Sequence, residues 1–289
     1  MMPTRHRPAW FDAQYNNRAR VANSTALLQR WARASAQTRE RIPAQLDLAY
    51  GDAASERLDL FPTATATAPA PVLVFIHGGW WRALDKSDHS FVAAPFADAG
   101  ALVIVPNYAL CPAVGIEQIA LQMTRALAWA WRHAAEHGGD PGRIVVAGHS
   151  AGGHLAAMLS CCDWPAVAPD LPRRLISGAV SISGVHDLAP IRQAPFLQGD
   201  LRLDEDAVRR LSPVNFPPPA TPLHAFVGGA ESEEFKRQNR LIRRAWGRRA
   251  VPICAELPGR NHFDVLDDLV DSQGRSHRLT RELLGLRLA

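Results

Sequence analysis

Hydrophobic residues recur along the chain in two distinct patterns. A fully apolar run at 72–76 is followed by similar short runs, mostly of apolar and small residues, at 101–105, 144–147, 177–181, 223–227 and 253–257. Runs of this length without alternation predict strands buried on both faces. Between them the spacing changes to threes and fours, which predicts helices over 87–99, 115–136, 151–162 and 233–246, and a last one from about 276 to 286. Buried strands separated by helices imply a parallel sheet covered on both sides. Ahead of this series, 45–50 and 57–61 alternate apolar and polar around Gly51-Asp52, which predicts an antiparallel hairpin of edge strands. Residues 23–40 place Leu27, Leu28, Trp31 and Ala34 on one helical stripe, with Arg30, Arg33 and Arg39 largely off it. That stripe predicts a peripheral N-terminal helix packed on a globular body rather than a transit peptide. Residues 62–71, PTATATAPAP, form a low-complexity loop, and the polar, proline-rich stretch 186–222 is long enough for a small cap insertion. The whole pattern reads as one α/β domain over 1–289, a mostly parallel sheet of about eight strands with helices on both faces.

Composition narrows the classes of partner. With 289 residues, 47% of them hydrophobic, the chain can bury a large core. The net charge is +4, but the basic residues are almost all arginines scattered among acids, with lysine only at Lys86 and Lys236. No phosphate-binding stripe results, so no nucleic-acid partner is expected. Cys111, Cys161, Cys162 and Cys254 show no C-x-x-C spacing, and the adjacent pair is poorly placed to bridge itself. Reduced thiols in a cytoplasmic protein are the expectation. Residues 1–10 carry no apolar h-region, and no run approaches membrane-spanning length, so neither export nor a membrane partner is expected.

Sites in open parallel sheets sit at the carboxyl ends of the strands, which directs attention to the residue after each run. The run 144–147 leads into Gly148-His149-Ser150-Ala151-Gly152, and helix-forming residues follow at once. In G-x-S-x-G the two glycines let strand and helix cross closely, while the serine is thrust out of a strained turn. The Ala151 N–H, at the helix start, then faces the place where an oxyanion would form. After 72–76 comes His77-Gly78-Gly79-Trp80-Trp81, where two residues without side chains let backbone N–H groups approach a ligand. After 223–227 comes Gly228-Gly229-Ala230-Glu231, and after 253–257 comes Pro258-Gly259-Arg260-Asn261-His262-Phe263. Serine, acid and histidine thus follow in that chain order, each at a strand end. Glu231 is favoured as the acid because it comes soonest after the strand preceding the histidine strand, with Glu233, Glu234 and Asp187 as rivals.

These residues resemble the α/β-hydrolase serine esterases, and within them the branch with an H-G-G-x-W motif that includes the arylformamidases (kynurenine formamidases). The matching segments are 77–81, 148–156, Ser183-Gly184-Val185-His186-Asp187-Leu188, 232–235 with Gln238, and 262–264, so the resemblance covers nearly the whole chain. It implies the α/β-hydrolase fold, with Ser150 as nucleophile, His262 as general base and Glu231 as the acid. It also implies an oxyanion hole of the Gly78, Gly79 and Ala151 N–H groups. The sequence departs from the family at Glu231, where relatives usually carry aspartate.

The remaining polar and aromatic residues divide between structure and substrate. His77 reads as a hydrogen-bonding residue that shapes the glycine loop, and His149 and His154 as packing groups around Ser150. Trp80, Trp81 and Tyr108 are candidates for a substrate pocket or for the core, and Asp187 for a turn or the pocket rim. His133-Ala134-Ala135-Glu136-His137 matches the inverted zinc-protease pattern H-x-x-E-H, but it closes a helix at the amino end of the Ser150 strand, so no metal and no cofactor are expected. Two classes follow, a serine hydrolase acting through an acyl-enzyme on a small carboxylic ester or aryl (N-formyl) amide, and a noncatalytic binding protein of the same fold. The intact Ser-acid-His set favours the first. Its partner would be the small-molecule substrate, and a homodimer is left open.

Overall fold

The eight strands of the computed structural model, which describes residues 7–63 and 69–286, form one sheet in the order β1-β2-β4-β3-β5-β6-β7-β8. They are β1 (Gln45–Ala49), β2 (Arg57–Phe61), β3 (Ala70–Ile76), β4 (Leu102–Pro106), β5 (Gly139–His149), β6 (Gly178–Ile182), β7 (Leu223–Gly228) and β8 (Ile253–Leu257). β1 and β2 pair antiparallel, as do β2 and β4, and the six strands β3 to β8 pair parallel with one another.

Side chains alternate along each strand between two cores. Val72, Val74 and Ile76 of β3, with Ile144 and Val146 of β5, belong to one core, and Leu73, Phe75, Val145 and Ala147 belong to the other. Three helices fall near the start of the chain: α1 (Pro8–Tyr15), α2 (Asn17–Arg20) and α3 (Ser24–Arg41). They are followed by α4 (Ala93–Asp98), α5 (Ile116–His133), α6 (Ala151–Ser160) and α7 (Trp164–Val167). Helices α8 (Ala189–Arg192), α9 (Pro195–Leu201) and α10 (Glu205–Leu211) fill the span between β6 and β7. Last come α11 (Glu233–Ala250), α12 (Val265–Val270) and α13 (Arg275–Leu284). Helices α5, α6 and α11 cover the first core through Ile119, Met123, Leu155, Phe235 and Ile242, whereas α3, α4, α12 and α13 cover the second through Trp31, Phe96, Leu269 and Leu284.

The structure departs from the sequence reading in four places. The expected helix over 87–99 is two 3₁₀ turns, Lys86–Asp88 and Ser90–Val92, before α4 begins. Asp85 and Asp88 close a capping box there, and the Lys86 ammonium turns inward to Asp59 (2.7 Å) and Asp47 (2.8 Å). That ion pair also corrects the reading of β2 as an edge strand. β2 lies between β1 and β4, so its Asp59 is fully buried and is matched by the nearly buried lysine rather than by water. The loop expected over 62–71 ends sooner, because Ala70 and Pro71 already belong to β3, and its residues 64–68 lie outside the described ones. β5 is much longer than the apolar run 144–147, since backbone pairing carries it back to Gly139 beside Ala70.

The crossing of β5 and α6 leaves no room for side chains. A Cβ on Gly148 would lie 2.1 Å from Gly152 O, and one on Gly152 would lie 2.0 Å from Ile76 O. Both neighbours are backbone atoms of the central strands and the helix they carry, so they cannot give way. Gly148→Ala should therefore destabilise the protein at or above the upper end of the about 1–3 kcal/mol typical of overpacking. Denaturant unfolding of the purified variant measures this, and a midpoint equal to that of the parent protein would contradict it.

Candidate active site

Strand register brings the candidate groups to one edge of the sheet. Ile76 pairs with Gly148, His149 with Ile182, and Gly228 with Leu257, so the carboxyl ends of β3, β5, β6, β7 and β8 lie level. Ser150 follows β5 directly with φ 55° and ψ −115°, a strained conformation for a residue with a side chain. Its N–H donates to Ile182 O (2.8 Å), which fixes the turn against β6.

Ser150, His262 and Glu231 form one hydrogen-bonded line. The Ser150 hydroxyl lies 3.1 Å from His262 Nε2, and His262 Nδ1 lies 2.6 Å from Glu231 Oε2. The second carboxylate oxygen, Oε1, accepts from Gly228 N (2.7 Å) and from the Ser183 hydroxyl (2.5 Å). With Nδ1 protonated toward the carboxylate, Nε2 is left free to accept the serine proton. The His262 loop is held by Asn261 and Asp264, whose side chains bond each other (2.7 Å) and the local backbone. His149 donates from Nε2 to His262 O (2.8 Å), and the Phe235 ring packs 4.6 Å from the imidazole. The rival acids stand elsewhere. Glu233 is exposed beside Lys236, Glu234 is engaged by Tyr15 and Arg237, and Asp187 caps Ala189 N.

The glycine loop is gripped from behind. The Tyr108 hydroxyl donates to His77 O (3.0 Å) and Gly78 O (3.2 Å), and His77 Nδ1 lies 2.8 Å from Gly78 O. In a trans peptide the N–H points opposite to the carbonyl, so holding these two oxygens turns the Gly78 and Gly79 N–H groups away from Tyr108. Gly78 lies against the serine, since a Cβ built on it would come within 3.1 Å of Ser150 Cβ. Gly79 has φ +107°, and a Cβ there would lie 2.0 Å from Ala83 O. The N–H of Ala151 opens α6 on the other side of the serine.

A cleft of about 330 Å³ opens over Ser150 and His262. Its apolar walls are Leu28, Trp31, Trp80, Phe196 and Phe263. Trp80 is thus placed in the pocket, whereas Trp81, Tyr108 and Asp187 are not. Trp81 is fully buried and turns its ring edge-on to His154 (4.9 Å), Tyr108 is stacked on His77 (4.1 Å) behind the loop, and Asp187 faces Arg237 and the start of α8. The polar rim was not legible in the sequence. It comprises Asn16, Asn17 and Arg18 from the N-terminal segment and an Arg82–Asp200 ion pair. The segment docks through Tyr15, whose hydroxyl donates to Glu234 (2.6 Å) and accepts from Gln238 (3.2 Å), and through Asp12, which accepts from Phe196 N. Pro8 in the first turn of α1 and Asn16 as the cap of α2 were the local signals for these helices.

His133 and His137 stand at the other edge of the sheet, packed on Trp129, with His133 paired to Glu136 and His137 to Gln45. Among the described residues no three His, Cys, Asp or Glu side chains are grouped to hold a metal ion.

A family model described as BD-FAE matches residues 58–222, a span that holds Gly78, Gly79 and Ser150. The kynurenine formamidase of Danio rerio is 27% identical over 249 residues, 83% of this chain and 82% of that protein. The kynurenine formamidase of Salmo salar is 28% identical over 264 residues, 88% of this chain and 84% of that one. Among solved structures, a protein of Silicibacter sp. TM1040 provisionally described as a thioesterase is 32% identical and superposes with a TM-score of 0.81, covering 95% of this chain and 97% of its own.

The enclosed histidines make the site sensitive to acid. Burial pushes His154 down to about 4 and His186 and His89 to about 3, with neighbouring histidines adding to the last two, and it also lowers His77 and His149. In the unfolded chain these rings take up protons near pH 6.5, which the folded protein refuses, so stability falls as pH drops below that value. His154 alone should cost on the order of 2 kcal/mol between pH 7 and pH 5. Denaturant unfolding at pH 7 and pH 5 measures the slope, and His154→Gln should flatten it. A stability equal at the two pH values would contradict the assignment of neutral buried rings.

Proposed function

The chain belongs to the BD-FAE family and is a hydrolase of α/β-hydrolase fold, and from that premise we propose that Ser150 is acylated by small carboxylic esters or aryl amides of the N-formyl anilide kind. The observation that carries this reading is the hydrogen-bonded line Ser150-His262-Glu231 under an aromatic-walled cleft. In this reading the Ser150 oxygen attacks the substrate carbonyl as His262 Nε2 takes its proton. The oxyanion is received by the N–H groups of Gly78, Gly79 and Ala151, whose positions are set before substrate arrives. His262 then passes the proton to the leaving oxygen or nitrogen, and the acyl-enzyme is cleaved by water activated in the same way. Glu231 keeps the imidazole in the reactive tautomer and stabilises its charged form.

Substrate size and character follow from the walls. Trp80 adjoins the glycine loop, and with Trp31, Phe196 and Phe263 it offers flat apolar surface over a small volume. A formyl or acetyl group beside the oxyanion amides and an aromatic leaving group fit that shape. The kynurenine formamidase relatives support the aryl-amide arm of the reading. All four cysteines are free thiols, and burial raises Cys111 and Cys162 to about 11 and Cys161 to about 12, with a neighbouring charge assisting in each. Such inert, reduced thiols support a cytoplasmic setting. Among the described residues no helix is long and apolar enough to cross a membrane.

Ser150→Ala should lower kcat by about five to six orders of magnitude with folding intact, and Glu231→Gln by about 10³ to 10⁴. Steady-state rates on 4-nitrophenyl acetate and on formanilide measure both. Near-parental turnover in Ser150→Ala would overturn the assignment.

Across a series of aryl esters, kcat/KM should fall from formyl or acetyl to butyryl and longer chains, by roughly 10- to 200-fold for each methylene that clashes. Trp80→Ala should relax that fall. An optimum at six or more acyl carbons would exclude the tight acyl side.

A further inference from the structure

Glutamate at 231 poses a mechanical problem that the neighbouring strand solves. One methylene longer than aspartate, its side chain has an additional rotatable bond, and an unrestrained carboxylate would swing away from His262. Both of its oxygens are nevertheless committed. Oε2 faces His262 Nδ1, while Oε1 is held by one backbone donor at the end of β7, Gly228 N, and one hydroxyl donor just beyond β6, Ser183. The group is almost wholly enclosed, so no bulk water competes for these bonds.

Ser183 occupies its place at a cost. It is 1% exposed with φ 52°, a left-handed conformation that glycine adopts without strain and serine does not. Its N–H donates to Phe226 O (2.7 Å), which carries the β6–β7 ladder one residue past the strand. The turn allows little play, since a Cβ on the adjacent Gly184 would lie 2.1 Å from Ser181 Oγ. What serine supplies there, and a less strained glycine would not, is the hydroxyl on Glu231.

We propose that Ser183 is a positioning residue that locks the Glu231 carboxylate onto His262. This rests on the reading of Ser150, His262 and Glu231 as the catalytic triad. Ser183 touches neither substrate nor the reacting atoms and acts only through Glu231.

The test compares Ser183→Gly and Ser183→Ala with the parent protein, and then places Ser183→Gly in a Glu231→Ala background. Because the relief of backbone strain offsets much of the lost hydrogen bond, Ser183→Gly should stay folded, with an unfolding temperature within a few degrees of the parent. Its kcat should nevertheless fall roughly 10- to 100-fold, the range for a hydrogen bond to a charged group, with KM changed less than about twofold. Ser183→Ala should show the same loss of kcat. In the Glu231→Ala background, where no carboxylate remains to be held, Ser183→Gly should change kcat by less than about twofold. A kcat within about twofold of the parent in either folded single variant would overturn the proposal, as would an equal loss in both backgrounds. If Glu231→Ala itself turned over like the parent, the triad reading would fail instead.

Discussion

The structure depends on one steric constraint, the contact between backbone atoms where β3, β5 and the start of α6 meet. Gly148, Gly152 and Ile76 approach so closely that hydrogen is the largest substituent tolerated at either glycine. This contact forces Ser150 into its strained turn, and it sets α6 so that the Ala151 N–H lies beside the serine. The level ends of the parallel strands then bring a loop from each neighbour to the same edge. The glycine loop arrives from β3, Ser183 from β6, Glu231 from β7 and His262 from β8. Ser150, Ser183, Glu231 and His262 each lie within a few residues of a strand end, which is why hydrogen bonds of 2.5 to 3.1 Å link these side chains across large sequence separations.

The parts of this arrangement that were legible in the sequence are those governed by local pattern. A buried parallel strand is apolar at nearly every position, so β3, β4 and the end of β5 announce themselves, β6 and β7 carry one polar residue each, and β8 shows its place at the sheet edge in the exposed Glu256. A residue that follows such a strand is placed at the carboxyl edge of the sheet without further information. That reasoning reached Ser150, Glu231 and His262. It could not reach features that depend on which strands are neighbours. Asp59 reads as the outward-facing polar position of an edge strand, yet pairing with β4 encloses it and Lys86 comes in to meet it. Trp81 and Trp80 are adjacent in sequence and both have positive φ, but one ring faces His154 in the core and the other faces the cleft. The sequence contains no signal that would separate them.

The N-terminal segment was illegible for a different reason. α1 has almost no amphipathic character, because its polar residues face inward as often as its apolar ones. Tyr15 is buried to meet Glu234 and Gln238, and Asp12 reaches the Phe196 N–H. Helices held by such specific polar contacts leave little periodic trace. The rim that Asn16, Asn17 and Arg18 contribute to the cleft is a tertiary result.

The docking of Tyr15 on Glu234 and Gln238, 219 and 223 residues further along the chain, sets a timetable for biosynthesis. Residues 8–20 leave the ribosome first, but the surface that receives them is made only with α11, and His262 follows later still. At about 5–20 residues per second the first helices wait on the order of 10–45 s for their partner. During that interval Ser150 emerges on a sheet that still lacks β6, β7 and β8, and His262 comes only after the last of them. The hydrogen bonds that Tyr15 makes to α11 and Ser150 makes to His262 therefore form only as the last third of the described chain emerges.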